Sequence, residues 1–374
     1  MIKRELNLEN NIQKNKVVII YGARRVGKTT LLNDFLKKTK LKYRLDNGDN
    51  IRLQELLQSQ DFNRIKEYVE GYELIAIDEA QQVPNIGMAL KIIVDQVKAI
   101  RVIVTGSSSF DLSQKIGEPL TGRKKTFVLY PFSQLEMRRL YNKHELKEKL
   151  ESFLVFGGYP DVVLAKTKKE KISILNELVD SYLLKDVLTL DNIKFSKKLL
   201  DLLKSLAFQV GNLVSLNELS QQVGLDVKTI DRYLDLLEKG FVIKRLGGFS
   251  RNLRNEITNK SKYYFLDNGI RNALISQFNS LDKRDDIGAL FENFLMMDRI
   301  KNNNLVNNYY FWRNYEGKEI DLIEEKEGAL YAYEFKWNKT EAKPPKNFID
   351  SYKNSKFEVI NKDNYLDFLI TNFV

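Results

Sequence analysis

The stretch Gly22–Thr29 constrains the fold of this chain more than any other part of its sequence. It reads Gly-Ala-Arg-Arg-Val-Gly-Lys-Thr and fits the pattern G-x-x-x-x-G-K-[S/T]. The apolar run Val17–Tyr21 precedes it, and Thr29–Lys37 follows with apolar residues at helical spacing. A strand, a glycine-bounded loop and a helix in this order are typical of a phosphate-binding loop. The sequence therefore predicts an α/β domain built around a nucleotide site.

Each position of this loop has an expected role. Glycines let backbone N–H groups wrap a phosphate, Lys28 is expected to reach the β- and γ-phosphates, and the Thr29 hydroxyl is expected to ligate Mg²⁺. ATP and Mg²⁺ are therefore the predicted cofactors, and Lys28 is a predicted catalytic residue. The predicted ATP-binding residues are Gly22, Ala23, Arg24, Arg25, Val26, Gly27, Lys28, Thr29 and Thr30.

A second apolar run, Leu74–Ile77, ends in the acids Asp78 and Glu79. Ligands of open α/β sheets bind at the carboxyl ends of the strands, so both acids are expected to face the loop. We expect Asp78 to share Mg²⁺ with Thr29. We expect Glu79 to polarise the attacking water as a general base.

Hydroxyl side chains follow the next predicted strand, Arg101–Thr105. The residues Thr105, Ser107 and Ser108 would bring a hydroxyl close to the γ-phosphate, and Ser107 is our candidate for orienting the attacking water. A polar turn with no catalytic role is the alternative, and the sequence does not distinguish the two.

The order of predicted elements divides the chain into four domains. Strands alternate with helices over residues 1–130, which predicts a parallel sheet with helices on both faces. Residues 131–192 are helical in pattern and predict a lid or connector. Residues 193–262 predict a winged helix-turn-helix, and residues 263–374 mix strands and helices again.

The winged-helix prediction depends on three helical segments and a hairpin. Leu199–Val210 and Val227–Lys239 have helical apolar spacing. A capping box at Ser215–Glu218 begins the helix between them. A hairpin with Gly247-Gly248 at its turn then follows.

Composition excludes several kinds of chemistry. The chain has no cysteine and a single histidine, His144, so disulfides, thiolate metal sites and histidine-based catalytic triads are out of reach. A metal here must be a hard ion held by oxygen, which indicates Mg²⁺. The apolar runs are strand-length and the N-terminus has no signal-peptide pattern, so we expect a cytoplasmic protein with no membrane partner.

Several short motifs in fixed order resemble one prokaryotic family. Besides the phosphate loop, they are Asp78–Gln81, Thr105–Ser108, Leu120–Arg123, Gly157–Pro160, Lys262–Gly269, Phe291–Asn293, Glu319–Asp321 and Glu334–Lys336. The chain is similar to AAA+-like ATPases whose C-terminal half is an uncharacterised winged-helix and restriction-endonuclease-like domain. This resemblance implies an AAA+-type fold and ATPase activity. It also suggests Arg123 as an arginine finger acting on a neighbouring subunit of a homo-oligomer, with a surface or structural arginine as the alternative.

The C-terminal part has a pattern that resembles a nuclease site. Asp321 followed by Glu334-Phe335-Lys336 matches the D…(D/E)-x-K arrangement of the restriction-endonuclease fold. Residues two apart on a strand share a face, so Glu334 and Lys336 point the same way, and Asp321 on a neighbouring strand can join Glu334 at Mg²⁺. Glu292 could add a carboxylate. A fold retained for binding or structure is the alternative.

DNA is the partner that the charge pattern favours. The net charge is +10, and much of the excess lies in the predicted winged helix. The candidate DNA contacts are Lys228, Arg232, Lys244, Arg245 and Arg251. Our leading hypothesis is an ATP-driven switch acting on DNA. The alternative is a nucleotide-gated signalling or scaffold protein whose C-terminal half binds a protein partner.

Overall fold

A computed structural model of the chain describes residues 2–107, 120–183, 196–251, 260–302, 308–326, 328–339 and 341–370. The chain forms two compact units. We call Arg4–Tyr130 with Lys239–Phe241 the N-terminal unit. We call Met1–Lys3, Pro131–Glu238 and Val242–Val374 the C-terminal unit.

The N-terminal unit is a five-stranded sheet with helices. Its elements are β1 (Lys16–Tyr21), α1 (Lys28–Lys38), β2 (Tyr43–Asn47), α2 (Ile51–Gln58), α3 (Phe62–Val69), β3 (Leu74–Asp78), a 3₁₀ turn (Ala80–Gln82), α4 (Ile86–Gln96), β4 (Arg101–Gly106) and β5 (Lys124–Val128). The strand order is β2-β3-β4-β1-β5, and every pair is parallel. This unit is an α/β domain with a parallel sheet, as the sequence predicted.

The burial of the three central strands, β3, β4 and β1, explains why these residues form a sheet. Consecutive positions along each of them are buried, whereas the edge strands β2 and β5 are partly exposed. Successive side chains of a strand point to opposite faces, so burial at consecutive positions means that both faces are covered. The apolar runs of the sequence are therefore the strands of the core.

Strand order also determines where the functional side chains lie. Because β4 is inserted between β1 and β3, the loop after β1 and the carboxyl ends of β3 and β4 meet at one edge of the sheet. Between β2 and β3 the chain forms two short helices, α2 and α3. Gln60 has φ 54° between them, and the Asp61 side chain caps α3.

The C-terminal unit is mixed α/β. Its elements are α5 (Gln134–Met137), α6 (Lys143–Glu148), α7 (Leu150–Phe156), α8 (Pro160–Leu164), α9 (Lys168–Glu177), a π-helical turn (Leu178–Leu183), α10 (Ser196–Phe208), β6 (Leu213–Val214), α11 (Leu216–Val223), α12 (Val227–Lys239), β7 (Ile243–Gly248), β8 (Ser261–Phe265), α13 (Asn268–Leu274), a 3₁₀ turn (Leu281–Lys283), α14 (Ile287–Asn302), β9 (Asn308–Arg313), β10 (Glu319–Lys326), β11 (Ala329–Phe335), α15 (Lys346–Ser351), β12 (Ser355–Ile360) and α16 (Tyr365–Ile370). Within the described ranges, no helix combines the length and apolar character needed to cross a membrane.

One seven-stranded sheet joins the strands of this unit in the order β12-β11-β10-β9-β7-β8-β6. β7 pairs antiparallel with β8, and its last two residues pair in parallel with β9, Gly247 with Tyr310 and Gly248 with Phe311. The sequence placed a hairpin turn at these glycines, and that placement is wrong. Gly247 pairs with both β8 and β9, and Gly248 pairs with β9, so strand pairing holds them extended and overrides their local preference for a turn.

Two motifs of the sequence meet at Asp267. Its buried carboxylate accepts hydrogen bonds from the N–H groups of Gly158, at 2.7 Å, and of Gly269, at 2.9 Å. Gly157 has φ 74°, and a Cβ there would lie 1.9 Å from the Asp267 carboxylate. Only glycine fits at Gly157, so this contact fixes the segment before α8 against the start of α13.

Candidate functional site

The loop after β1 is shaped by residues with positive φ. Gly22 has φ 151°, Arg25 has φ 59° and Gly27 has φ 94°. A Cβ on Gly22 would lie 2.1 Å from the carbonyl oxygen of Leu129. The backbone N–H of Leu129 donates to the carbonyl oxygen of Tyr21 at 2.7 Å. Glycine is therefore required where the loop leaves β1, because the chain after β5 closes against it.

Lys28 begins α1 and folds back over the loop. Its side chain is buried, and Nζ donates hydrogen bonds of 2.9 Å to the carbonyl oxygens of Gly22 and Ala23. These acceptors are neutral, and a phosphate oxygen is a stronger, charged acceptor for an ammonium group. The lysine is thus held at the loop in a position to contact a bound phosphate.

The Asp78 carboxylate joins three strand ends. Its Oδ2 accepts a 2.6 Å hydrogen bond from the Thr29 hydroxyl, and its Oδ1 accepts one from the Thr105 hydroxyl. The Thr105 oxygen in turn accepts the Glu79 N–H at 3.3 Å. The structure therefore brings the loop after β1 together with the ends of β3 and β4.

Glu79 lies beside this carboxylate in an unusual backbone conformation. Its φ is 51°, and a Cβ on the neighbouring Gly48 would lie 2.2 Å from its carbonyl oxygen. The buried Gln81 amide donates to the Glu79 carboxylate and, at 3.1 Å, to the Ser107 hydroxyl. Left-handed backbone at a glutamate is uncommon and is held by its surroundings. The Glu79 side chain is thus tied to Ser107 through Gln81.

Sequence reasoning assigned Gln81 no role. It was part of the motif Asp78–Gln81, and the only signal was its position two residues beyond the candidate base. The 3₁₀ turn Ala80–Gln82 brings it back toward Glu79. Ser108, the other hydroxyl considered after β4, lies outside the described residues.

The remaining predicted residues occupy different environments. Val26 is fully buried in the core of the unit, whereas Thr30 is exposed on α1. Arg24 and Arg25 are half-buried in the loop. Arg123, just before β5, pairs with Asp95 of α4 at 2.5 Å, so an interaction with a nucleotide would require it to leave this partner.

The donor set at the loop fits a magnesium ion. Thr29 and Asp78 offer a hydroxyl and a carboxylate oxygen that already lie 2.6 Å apart. Mg²⁺ in nucleotide sites is usually held by one or two such protein oxygens together with phosphates and water, not by a cage of acids. The described part of the chain has no group of three or more acidic or histidine side chains placed to hold a metal. A magnesium site completed by phosphates and water does not need such a group.

A second cluster of charged side chains lies in the C-terminal unit, around Lys262 of β8. This lysine is 1% exposed, and its Nζ lies 2.5 Å from Glu319 Oε1, 3.3 Å from Glu292 Oε1 and 3.8 Å from Asp321 Oδ1. The Tyr264 hydroxyl also donates to Glu292, at 2.7 Å. We call Lys262, Glu292, Glu319 and Asp321 the lysine cluster.

The other two residues of the predicted nuclease pattern adjoin the lysine cluster. Glu334 and Lys336 pair with each other at 2.6 Å, and the Phe335 N–H between them donates to the Asp321 carboxylate at 2.8 Å. Burial, with the charge of Asp321, raises the pKa of Glu334. Burial raises the pKa of Glu292 to about 7, although the Lys262 ammonium acts in the opposite direction. All four predicted residues therefore lie in one charged region, with Asp321 buried and the Lys336 side chain 38% exposed.

Lys262 is the member of this region that sequence reasoning missed. It stood in the motif Lys262–Gly269 with no assigned role. The available signal was a lysine within a run of aromatic strand residues. Such a strand is buried at every position, so its ammonium group has no solvent and needs acidic partners inside the protein.

The candidate DNA contacts lie on α12 and around β7. Lys228 and Arg232 are exposed on α12, and the Arg232 guanidinium lies 5.7 Å from the centroid of the Tyr233 ring. Acidic side chains pair with the other three candidates: Glu238 with Lys244, Asp231 with Arg245, and Glu325 with Arg251.

Three family models match successive parts of the chain. Residues 14–138 match the model of an AAA domain. Residues 147–281 and 287–368 match two domains of unknown function, DUF8612 and DUF4143. The first match supports a P-loop, AAA-like ATPase for the N-terminal region, and nucleotide binding follows from it.

Relatives are similar over most of the chain. An uncharacterised protein of Haemophilus influenzae is 28% identical over 94% of this chain and 92% of its own length. Uncharacterised proteins of Mycobacterium tuberculosis and Methanocaldococcus jannaschii are 26% and 25% identical, over 89% and 95% of this chain and 73% and 83% of their own lengths. The same combination of parts thus occurs in bacteria and archaea.

The Thr105 hydroxyl is predicted to stabilise the N-terminal unit. Thr105→Val removes a fully buried hydroxyl that donates to Asp78 and is one of two acceptors of the Glu79 N–H, the other being Asp78 Oδ1 at 3.2 Å. Because the buried Asp78 oxygen loses its donor, we expect a loss of about 1–3 kcal/mol in the free energy of unfolding. Thr126→Val, on the exposed edge strand β5, is the matched control and is expected to change it by less than about 0.5 kcal/mol. Urea unfolding measures both, and equal effects would contradict the bridging role of Thr105.

Proposed function

We propose that this chain is a Mg²⁺-dependent ATPase of the AAA+ type whose nucleotide cycle controls a DNA-binding C-terminal unit. The observation that carries the proposal is the convergence on Asp78 of hydroxyls from Thr29 and Thr105, with Glu79 adjacent. ATP hydrolysis needs three features close together: a phosphate-binding loop, a pair of oxygens that binds the metal, and a carboxylate that acts as the base.

In the proposed mechanism each residue has one task. Backbone N–H groups of the loop and the Lys28 ammonium hold the phosphates. Thr29 and Asp78 would hold Mg²⁺, which when bound neutralises charge on the phosphates. Glu79 accepts the proton of the attacking water, and its contact with Gln81, which also bonds to Ser107, orients its carboxylate.

The sharpest test of nucleotide use is Lys28→Ala. Removing the ammonium takes away a charged contact to the phosphates, so ATP affinity is expected to fall at least about tenfold and hydrolysis by a larger factor. Lys37→Ala, at an exposed position of the same helix, is the control and is expected to behave as wild type. Titration with a fluorescent ATP analogue and a phosphate-release assay measure the two quantities. Unchanged binding and hydrolysis in Lys28→Ala would remove the basis of the proposal.

The domain arrangement that we propose for the rest of the chain is a lid or connector at 131–192, a winged helix at 193–262 and a restriction-endonuclease-like fold at 263–374. Support for the winged helix comes from the order of α10, α11 and α12, followed by strands β7 and β8. β6 pairs with β8 and β8 pairs with β7, so these three strands are neighbours at one end of the seven-stranded sheet. β8 extends this sheet to Phe265, slightly past the boundary from sequence.

DNA binding is proposed to use the exposed face of α12. Lys228 and Arg232 are one helical turn apart and both exposed, the spacing of two contacts to a phosphate backbone. These contacts contribute salt-dependent affinity without reading bases.

One observation favours the alternative, a switch that binds a protein partner. Asp231 and Asp235 are exposed on the same helix, and three of the five candidate cations pair with acids. A surface of mixed charge is less suited to a polyanion than a uniformly basic one. In this alternative, ATP acts as a conformational latch and DNA plays no part.

A double variant, Lys228→Ala with Arg232→Ala, separates the two functions. If α12 contacts phosphates, affinity for duplex DNA falls and the slope of log affinity against log salt concentration decreases by about 2. Lys168→Ala with Lys169→Ala, exposed on α9, is the matched control and should leave the slope unchanged. Fluorescence anisotropy at several salt concentrations measures it. Salt-independent or absent DNA binding by the wild-type protein would favour the protein-binding alternative.

A further inference from the structure

The lysine cluster adjoins the place where the sequence pattern predicts a nuclease metal ion, between Asp321 and Glu334, and it contains Asp321 and Glu292 of that pattern. Its acids come from two elements: Glu292 from α14, and Glu319 and Asp321 from β10. All three direct oxygens at the Nζ atom of Lys262, which reaches in from β8. These interactions therefore tie β8 to two elements that carry residues of the nuclease pattern.

A divalent metal does not fit this arrangement. Mg²⁺ needs about six oxygens at roughly 2.1 Å, and an ammonium group in their midst both fills the space and repels the ion. The described residues include no group of three acids that is open to a metal. A metal would therefore have to displace a lysine that is 1% exposed and has no solvent to move into.

We propose that Lys262 is the permanent cation of this cluster and takes the place of a divalent metal, so that the C-terminal unit is a closed ion network and not a metal-dependent nuclease.

The energetics favour a covalently attached cation here. Buried carboxylates without a counter-charge are strongly destabilising, and the lysine supplies a positive charge to them at all times, without depending on a metal supply. Burial acts to lower the pKa of Lys262, but the charges of Glu292, Asp321 and Glu319 raise it above its usual range, so the side chain stays charged. Gly211 further restricts the site, because a Cβ there would lie only 3.0 Å from the Glu292 carboxylate.

This inference is independent of ATP use. It assigns the region around Asp321 and Glu334 to holding strands and helices together, while any partner is bound elsewhere on the C-terminal unit. It also predicts that removing one lysine would open the carboxylates to a metal.

The experiment measures Mn²⁺ binding to nucleotide-free protein by the loss of the free-ion electron paramagnetic resonance signal, and the melting temperature with Mn²⁺ and with EDTA. Wild type and Asp321→Asn are expected to bind the same amount of Mn²⁺, because the cluster in wild type binds none. The melting temperature of wild type is expected to be the same in Mn²⁺ and in EDTA. Lys262→Met is expected to melt lower in EDTA and to recover in Mn²⁺, with at least tenfold tighter Mn²⁺ binding than wild type. The control Lys260→Met, at an exposed position two residues away, should match wild type.

Two results would overturn the proposal. One is Mn²⁺ binding, or Mn²⁺-dependent DNA cleavage, by wild type that Asp321→Asn abolishes, because the lysine would then be no barrier to a metal. The other is a folded Lys262→Met protein with no gain in Mn²⁺ binding, because the lysine would then not stand in the place of the metal. The comparison of wild type with Asp321→Asn decides the question by itself if Lys262→Met does not fold.

Discussion

The N-terminal unit depends on one carboxylate, that of Asp78. It accepts hydrogen bonds from hydroxyls that follow two other strands, Thr29 after β1 and Thr105 at the end of β4. This is possible only because β4 lies between β1 and β3, so that three carboxyl ends meet at one edge. The apolar core fixes that order, and the order places the polar groups. The Glu79 backbone, held in a left-handed conformation beside Gly48, is a further consequence of the same crowding.

The C-terminal unit also contains buried carboxylates, but their positive partner belongs to the chain itself. In the proposed nucleotide site, one acid and one hydroxyl lie in a partly buried region where an ion and phosphates would complete the charge balance. In the lysine cluster, Lys262 supplies a positive charge to three acids from within the chain, and Arg313 also pairs with one of them, Glu319. The first arrangement can respond to a ligand, whereas the second is suited to rigidity. The proposed ATP-dependent switch would need both, because a change at one unit has an effect only if the other keeps its shape.

The sequence predicted the features that depend on neighbouring residues and missed those that depend on residues far apart in the chain. The phosphate loop and the strands β1, β3 and β4 were predicted because their signals are local: a glycine pattern and apolar runs. The pairing of β7 with β9 was missed because it depends on residues some sixty positions apart, and two adjacent glycines argued for a turn. Gln81 and Lys262 were missed for the same reason, since their partners become neighbours only after the sheets form.

The central claim is that Thr29 and Asp78 together hold the magnesium ion of a hydrolysed ATP. Its most direct test is the Mg²⁺ dependence of ATP hydrolysis by Asp78→Asn, which keeps the size of the side chain, removes its charge and replaces one of its two accepting oxygens with an N–H donor. Wild type is expected to hydrolyse ATP only when Mg²⁺ is present. The variant is expected to need a much higher Mg²⁺ concentration and to turn over far more slowly, while remaining folded. Wild-type rates at the same Mg²⁺ concentration in Asp78→Asn would contradict it.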